Sequence, residues 1–230
     1  MTNSHIMTIG HPNKLKRRER ERLTRKKTIL DAARHIFFKK GLMAATVDEI
    51  AARAGVAKGT IYLYFESKEE IYFSLMLEGT LLLNEKMEKA VCLPLPAARL
   101  LEELQKAYYD FYQKDKEYFR ILFLSNHPDI QAKVSQELTQ TCIEAGTICL
   151  EIVAEVIRKG IAAGEFRKID PWATAVILWG MVNGMIQVFD QDPRHPEWIG
   201  LPLEDLLKSG LDLSLNGIQI PASPRRRNRR

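Results

Sequence analysis

Within Lys58-Gly-Thr-Ile-Tyr62 a cation, a glycine, a hydroxyl and a phenol share five residues, a set suited to hydrogen-bonding the phosphates and base edges of a nucleic acid. If the run is a short helix packed through Ile61, then Lys58, Gly59, Thr60 and Tyr62 form its outer face, sized for a major groove. Gly59 leaves no side chain between the backbone and a sugar-phosphate. Lys68 stands at the start of the next helix, where free amides and the helix dipole already favour a phosphate. No comparable set for catalysis occurs: there is no phosphate-binding Gly loop, no GxSxG and no HExxH. His35, His127 and His195 are scattered, and the adjacent pairs Glu69–Glu70 and Glu102–Glu103 read as solvated charge. The expectation is no catalytic residue, no metal, no cofactor and no enzyme activity.

Such a face needs elements to hold it. From Thr24 the apolar positions Ile29, Ala33, Ile36 and Phe37 follow a helical rhythm that Gly41 stops. Thr46-Val-Asp-Glu49 has capping-box spacing and opens a second helix, which Gly55 ends after about two turns. Lys58–Tyr64 is a third, and Ser67-Lys-Glu-Glu70 repeats the capping box to launch a fourth. Two short helices joined at a glycine and packed through Val47, Ile50, Val56 and Ile61 make a helix-turn-helix.

Charge supports a polyanion partner for this end. The chain has 230 residues and a net charge of +5, but nine Lys/Arg lie between Lys14 and Lys27 against Glu19 and Glu21. Five arginines (Arg225, Arg226, Arg227, Arg229 and Arg230) fall in the last six residues, and residues 71–224 are net acidic. The arm from Lys14 to Lys27 either enters a minor groove or adds affinity by counterion release alone; as a competing reading it is a solvated disordered segment.

The run Thr46-Val-Asp-Glu-Ile-Ala-Ala-Arg-Ala-Gly-Val-Ala-Lys-Gly-Thr-Ile-Tyr-Leu-Tyr-Phe-Glu-Ser-Lys-Glu70, preceded by Ile29-Leu-Asp-Ala-Ala33 and Phe37 to Gly41, resembles the signature of the TetR family of bacterial regulators over residues 28–72. The resemblance implies a three-helix DNA-binding domain, a long helical effector domain and a homodimer. It places Thr46, Tyr64 and Lys68 where the family contacts phosphates, and Lys58, Gly59, Thr60 and Tyr62 on its recognition helix. Ala57 departs from the Ser of many relatives and removes a hydroxyl that would reach phosphate.

The expected fold is all-α: a basic flexible N-terminal arm over 1–23, a helix-turn-helix domain over 24–70, a helical effector-binding and dimerisation domain over 71–210, and an irregular basic tail over 211–230. Asp170-Pro171, a cap followed by an N1 proline, starts a helix through Phe189 that is apolar nearly all round and reads as buried. Its Gly180 and Gly184 have GxxxG spacing for close helix packing, and the run is too short and interrupted for a membrane span. By the resemblance, residues 140–163 and 171–190 form the dimer interface, with Ile152, Val156, Trp172, Val176, Gly180 and Gly184 as its candidates. Two heads about 34–36 Å apart read successive major grooves of a palindrome. Tyr108, Phe111, Tyr112, Phe119 and Phe123, with Trp179 and Met181, are candidates for lining an effector pocket; core packing is the competing reading for each. No ionised residue stands out as an anchor, which points to an apolar or aromatic effector.

Three cysteines (Cys92, Cys142 and Cys149) without a CxxC pair, and no secretory segment, fit a cytoplasmic protein with free thiols. The reading is therefore a ligand-responsive repressor that binds palindromic double-stranded DNA as a homodimer, outside any membrane, and is released by a small molecule. Repression is the family's expectation. In the competing reading, a DNA-bound helical protein engages a protein partner through its C-terminal domain.

Overall fold

The computed structural model describes residues 12–123, 128–191 and 195–220. Its helices are α1 (Pro12–Ala44), α2 (Val47–Ala54), α3 (Lys58–Tyr62), α4 (Lys68–Val91), α5 (Ala97–Lys114), α6 (Lys116–Phe123), α7 (Pro128–Gln131), α8 (Gln136–Ala162), α9 (Pro171–Gln191), α10 (His195–Ile199) and α11 (Leu203–Ile218). Among the described residues the one β-type pairing is an isolated bridge between Phe166 and Gln219. The fold is all-α, a three-helix head followed by a larger helical unit.

The chain divides into two compact units, Met1–Met76 with Arg120–Thr139, and Leu77–Phe119 with Gln140–Arg230. The first unit is the head and more. Ile29, Ala33 and Phe37 of α1, Ile50 and Ala51 of α2, Ile61 of α3 and Phe65 bury together with Ile71, Tyr72, Phe73 and Leu75 of α4. The expected boundary after residue 70 therefore falls too early, because the first turns of α4 are core. The segment 120–139 also joins the head: the Tyr72 hydroxyl donates to the Ile121 carbonyl at 2.6 Å, and the Lys133 ammonium meets the Glu69 carboxylate at 3.2 Å.

Two expectations at the ends are corrected. Residues 12–23 are helical and not a flexible arm, since α1 begins at Pro12; Lys, Arg and Glu are strong helix formers, and Arg17 pairs with Glu21 one turn on at 2.8 Å. Residues 211–218 are the second half of α11 and not an irregular tail. Leu203, Leu207, Leu211 and Leu215 recur every fourth residue and all are buried. Residues 1–11 and 221–230, including the terminal arginines, lie outside the described residues.

In the second unit α5 has no side-chain cap of its own. Glu165, in the turn after α8, lends its carboxylate to the Ala97 and Ala98 amides at 3.2 and 3.4 Å. Gly160 is needed beneath the same turn, because a Cβ there would lie 2.2 Å from the Phe166 ring. Asp170 caps α9 through the Ala173 amide at 2.8 Å, as the Asp-Pro pair suggested. α9 is not the buried helix expected: Trp172, Val176, Ile177, Trp179 and Val188 are exposed, and only Ala175, Leu178, Val182, Asn183 and Ile186 are buried. Within one chain the other helices cover a single side of it.

Candidate functional site

The local chemistry of the head explains its shape. The Thr46 hydroxyl accepts the Glu49 amide at 3.3 Å, and the Glu49 carboxylate accepts the Thr46 amide at 3.2 Å, so both halves of the capping box are made. Glu49 also pairs with Lys40 of α1; that ammonium first, then Thr46, holds its carboxyl below the ordinary range. Gly55 (φ 64°) ends α2 in the left-handed conformation, and the Val56 amide reaches back to the Ala51 carbonyl at 3.0 Å. Ser67 caps α4 by accepting the Glu70 amide at 3.0 Å.

These caps fix α3 so that Ile61 is fully buried while Tyr62 is 51% exposed. Lys58 and Gly59 are exposed, Thr60 and Tyr64 partly so, and Thr46 is exposed at the start of α2. A Cβ built on Gly59 meets nothing within 4 Å. Lys58 already has a partner that the sequence reading missed: Asp48 of α2 binds its ammonium at 2.9 Å and raises its pKa, chiefly through that hydrogen bond. Both side chains are more than half exposed, so this pair is weak and open to exchange for a phosphate.

Lys68 is the residue whose expected role meets a different geometry. Its ammonium donates to the carbonyls of Leu42 (2.9 Å), Met43 (3.2 Å) and Ala45 (2.9 Å). All three ammonium protons are thereby engaged with the carbonyls that follow the break of α1 at Gly41.

A cavity of about 60 Å³ lies inside the second unit, among α4, α5, α8, α9 and α11. Tyr108, Trp179 and Met181 line it, with Leu101, Leu104 and Gln105 of α5 and Cys149, Leu150 and Val153 of α8. Among the described residues no charged side chain lines it. The Tyr108 hydroxyl donates to Asn183 at 2.7 Å, and burial keeps its phenol neutral by raising the pKa. The Cys149 thiol donates to Asn84 at 2.8 Å. Phe111, Tyr112 and Phe119 do not line the cavity. They stack edge-on or tilted, Tyr112 and Phe119 with centroids 5.0 Å apart, in a cluster that Tyr108 joins. The Phe123 side chain lies outside the described residues.

A family model described as "Bacterial regulatory proteins, tetR family" matches residues 29–75, which span the whole helix-turn-helix. The chain is 30% identical, over 76% of its own length and 87% of the relative's, to the HTH-type transcriptional regulator YhgD of Bacillus subtilis (strain 168). It belongs to the tetR family of bacterial regulatory proteins. This TetR-family regulator is also 27% identical to the fatty acid metabolism regulator protein of Bacillus subtilis, over 83% of this chain and 93% of that one. The crystal structure of the transcriptional regulator FadR from Bacillus subtilis in complex with stearoyl-CoA superposes with a TM-score of 0.69 and 26% identity, covering 84% of this chain and 99% of that one.

Along the regulator's α9, Trp172 is 42% exposed, and Val176, Gly180 and Gly184 follow on the same side with no atom within 4 Å of a Cβ at either glycine. Ile152 of α8 is half-buried. Val156 is not on this outward face: it is 1% exposed and packs inside the unit, because α8 turns it toward the core with Ala154 and Ile157. The aliphatic lining of the cavity was also missed by the sequence reading. Leu101, Leu104, Gln105 and Tyr108 fall at i, i+3, i+4 and i+7 on α5, a helical stripe that was the available signal.

Proposed function

We propose that the regulator is a ligand-responsive repressor that binds a palindromic operator as a homodimer in the cytoplasm and leaves it when an apolar chain enters the second unit. The observation that carries the DNA half is the division of α3, with Ile61 buried and Tyr62, Lys58 and the open Gly59 turned outward. Thr46, Thr60 and Tyr64 border the same surface as candidate contacts, whereas Lys68 positions the head.

The effector half rests on the cavity. Its uncharged lining suits an alkyl or aromatic group, and a relative at 26% identity was solved with stearoyl-CoA. Ligand pockets ordinarily measure about 300–1,000 Å³, so a void of about 60 Å³ must open when a ligand enters. Met87 of α4 lines the void, and α4 also supplies Lys68, which holds the end of α1. Displacing α4 is thus our route from ligand to head, and operator DNA must weaken ligand binding by the same factor. The exposed apolar side of α9 supports a second copy as its cover; a different protein partner on that side is the competing reading.

Fluorescence anisotropy against a duplex selected from a random pool tests the proposal, with stearoyl-CoA and shorter acyl-CoAs as competitors. Tight selective binding that acyl-CoA reverses supports it. Selective binding unaffected by any acyl chain rejects the effector, and sedimentation as a monomer rejects the dimer in favour of a protein partner.

A further inference from the structure

We propose that the N-terminal part of α1 makes a second, sequence-independent contact with the DNA flanking the operator, an inference that rests on the DNA-binding reading of the head. Every side chain from Lys16 to Lys27 is exposed, and the first buried one is Ile29. At 1.5 Å per residue, α1 therefore runs about 24 Å from Pro12 before it reaches core. Among residues 16–27 the one apolar side chain, Leu23, is itself exposed, so the stretch has no core of its own and is marginal in isolation.

Its charge names the partner. Lys16, Arg17, Arg18, Arg20, Arg22, Arg25, Lys26 and Lys27 stand against Glu19 and Glu21, and the first turn of α1 has no acidic residue. Duplex DNA offers one phosphate per about 1.7 Å of axis, dense enough to face a basic rod on several sides.

The helix also leaves the head at a suitable place. The Lys26 ammonium lies over the Phe65 ring, 5.4 Å from its centroid, and Phe65 follows Tyr62 and Tyr64 directly in the chain. At the opposite end of α1, Lys40 meets Glu49 and the Leu42 carbonyl meets Lys68. The basic rod thus departs beside the C-terminal end of α3, the end that carries Tyr62.

The test uses the full chain and a variant with Arg18→Gln, Arg20→Gln, Arg22→Gln and Arg25→Gln, changes that keep helix propensity. Affinity is measured for a selected duplex with and without one helical turn of flanking sequence on each side, and for random duplexes of the same two lengths, from about 50 to 200 mM salt. The wild-type protein is expected to prefer the longer duplex in both series. The variant is expected to lose that preference, with its slope of log K against log salt shallower by about 2–4 at roughly 0.9 per phosphate contact. Its selected-to-random ratio and its thermal unfolding are expected to be unchanged. An unchanged slope, equal weakening on trimmed and flanked duplexes, or a loss seen only on anionic lipid vesicles overturns the proposal. A wild-type protein that selects no sequence sinks the operator reading, while the arm is still judged by its length and salt dependence on random duplex.

Discussion

The Lys68 ammonium donates to the Leu42 carbonyl at 2.9 Å, tying the first turn of α4 to the end of α1 across the helix-turn-helix between them. Met43 and Ala45 supply the other two acceptors. Helix ends leave carbonyls without intrahelical partners, and a lysine is a natural acceptor of that role because it also complements the negative end of the dipole. The residue that sequence assigns to a phosphate thus holds the carbonyls at the end of the first helix in this structure.

Replacing Lys68 by Met is therefore expected to destabilise the protein by about 1–2 kcal/mol, the range for hydrogen bonds to a charged group discounted for part exposure. DNA affinity falls with it, while the slope of log K against log salt stays at its wild-type value. Thermal unfolding and salt titration read the two separately. A shallower slope with unchanged stability restores Lys68 to the phosphate backbone.

Gly59 and Tyr62 form the opposite case, exposed positions that stability does not need. Gly59→Ala places its methyl in open space, so unfolding is unchanged or shifted upward by up to about 1 kcal/mol. Its DNA affinity drops if the backbone approaches a phosphate there. Tyr62→Ala loses discrimination between the selected and random duplexes, about 1–3 kcal/mol for one base contact. If both variants keep wild-type affinity and selectivity, α3 is not the recognition helix.

Filling the cavity separates effector from operator. Val153 lines the void on α8 and is half-buried. Val153→Phe occupies most of the space at an overpacking cost of about 1–3 kcal/mol. Operator binding is expected to persist and release by acyl-CoA to disappear. Calorimetric titration with stearoyl-CoA that is unchanged in the variant places the ligand elsewhere.

The two buried thiols give a pH dependence. Burial pushes Cys142 up to about 11 and Cys149 up to about 12, from an ordinary value of 9.0. The unfolded chain therefore loses these protons first. Their contribution to stability is complete below about pH 9 and is lost as pH rises through about 11 for Cys142 and about 12 for Cys149. Native protein at pH 8 is expected to react with a thiol reagent at the exposed Cys92 and only after unfolding at the other two. Rapid modification of Cys149 in the folded state contradicts the burial of that thiol.

The head was legible because its signals are local. Thr46 with Glu49, the break at Gly55 and Ser67 with Glu70 each specify a cap within four residues; the structure makes the first two in full and the Ser67 half of the third, with the Glu70 carboxylate accepting the Glu66 amide instead. The carbonyl anchor of Lys68 spans 23 to 26 residues and leaves no periodic trace. Aromatic residues drew attention on α5 and α6, yet Phe111 and Phe119 fill one another's packing space while the aliphatic stripe at Leu101 and Leu104 borders the void. Val156 and Ile152 show the limit of a helical wheel, because a small rotation of α8 decides which of them faces inward. α9 is apolar enough to read as core, yet the described residues cover only one side of it, and no signal within the helix itself says which side that is.

Trp172→Glu tests a second copy as the cover of α9. The indole is 42% exposed at the first turn of α9, so a carboxylate there meets water in the single chain and costs the fold little. Against a second copy the same substitution buries charge twice about the two-fold axis, since an isologous interface repeats each change. Sedimentation is expected to shift from dimer to monomer at micromolar concentration, with helical content and thermal unfolding of the monomer preserved. Affinity for a palindrome should then fall to that for its half-site, because the gain from two heads on one duplex depends on their linkage. A variant that remains a dimer and binds the palindrome as before moves the dimer interface away from Trp172.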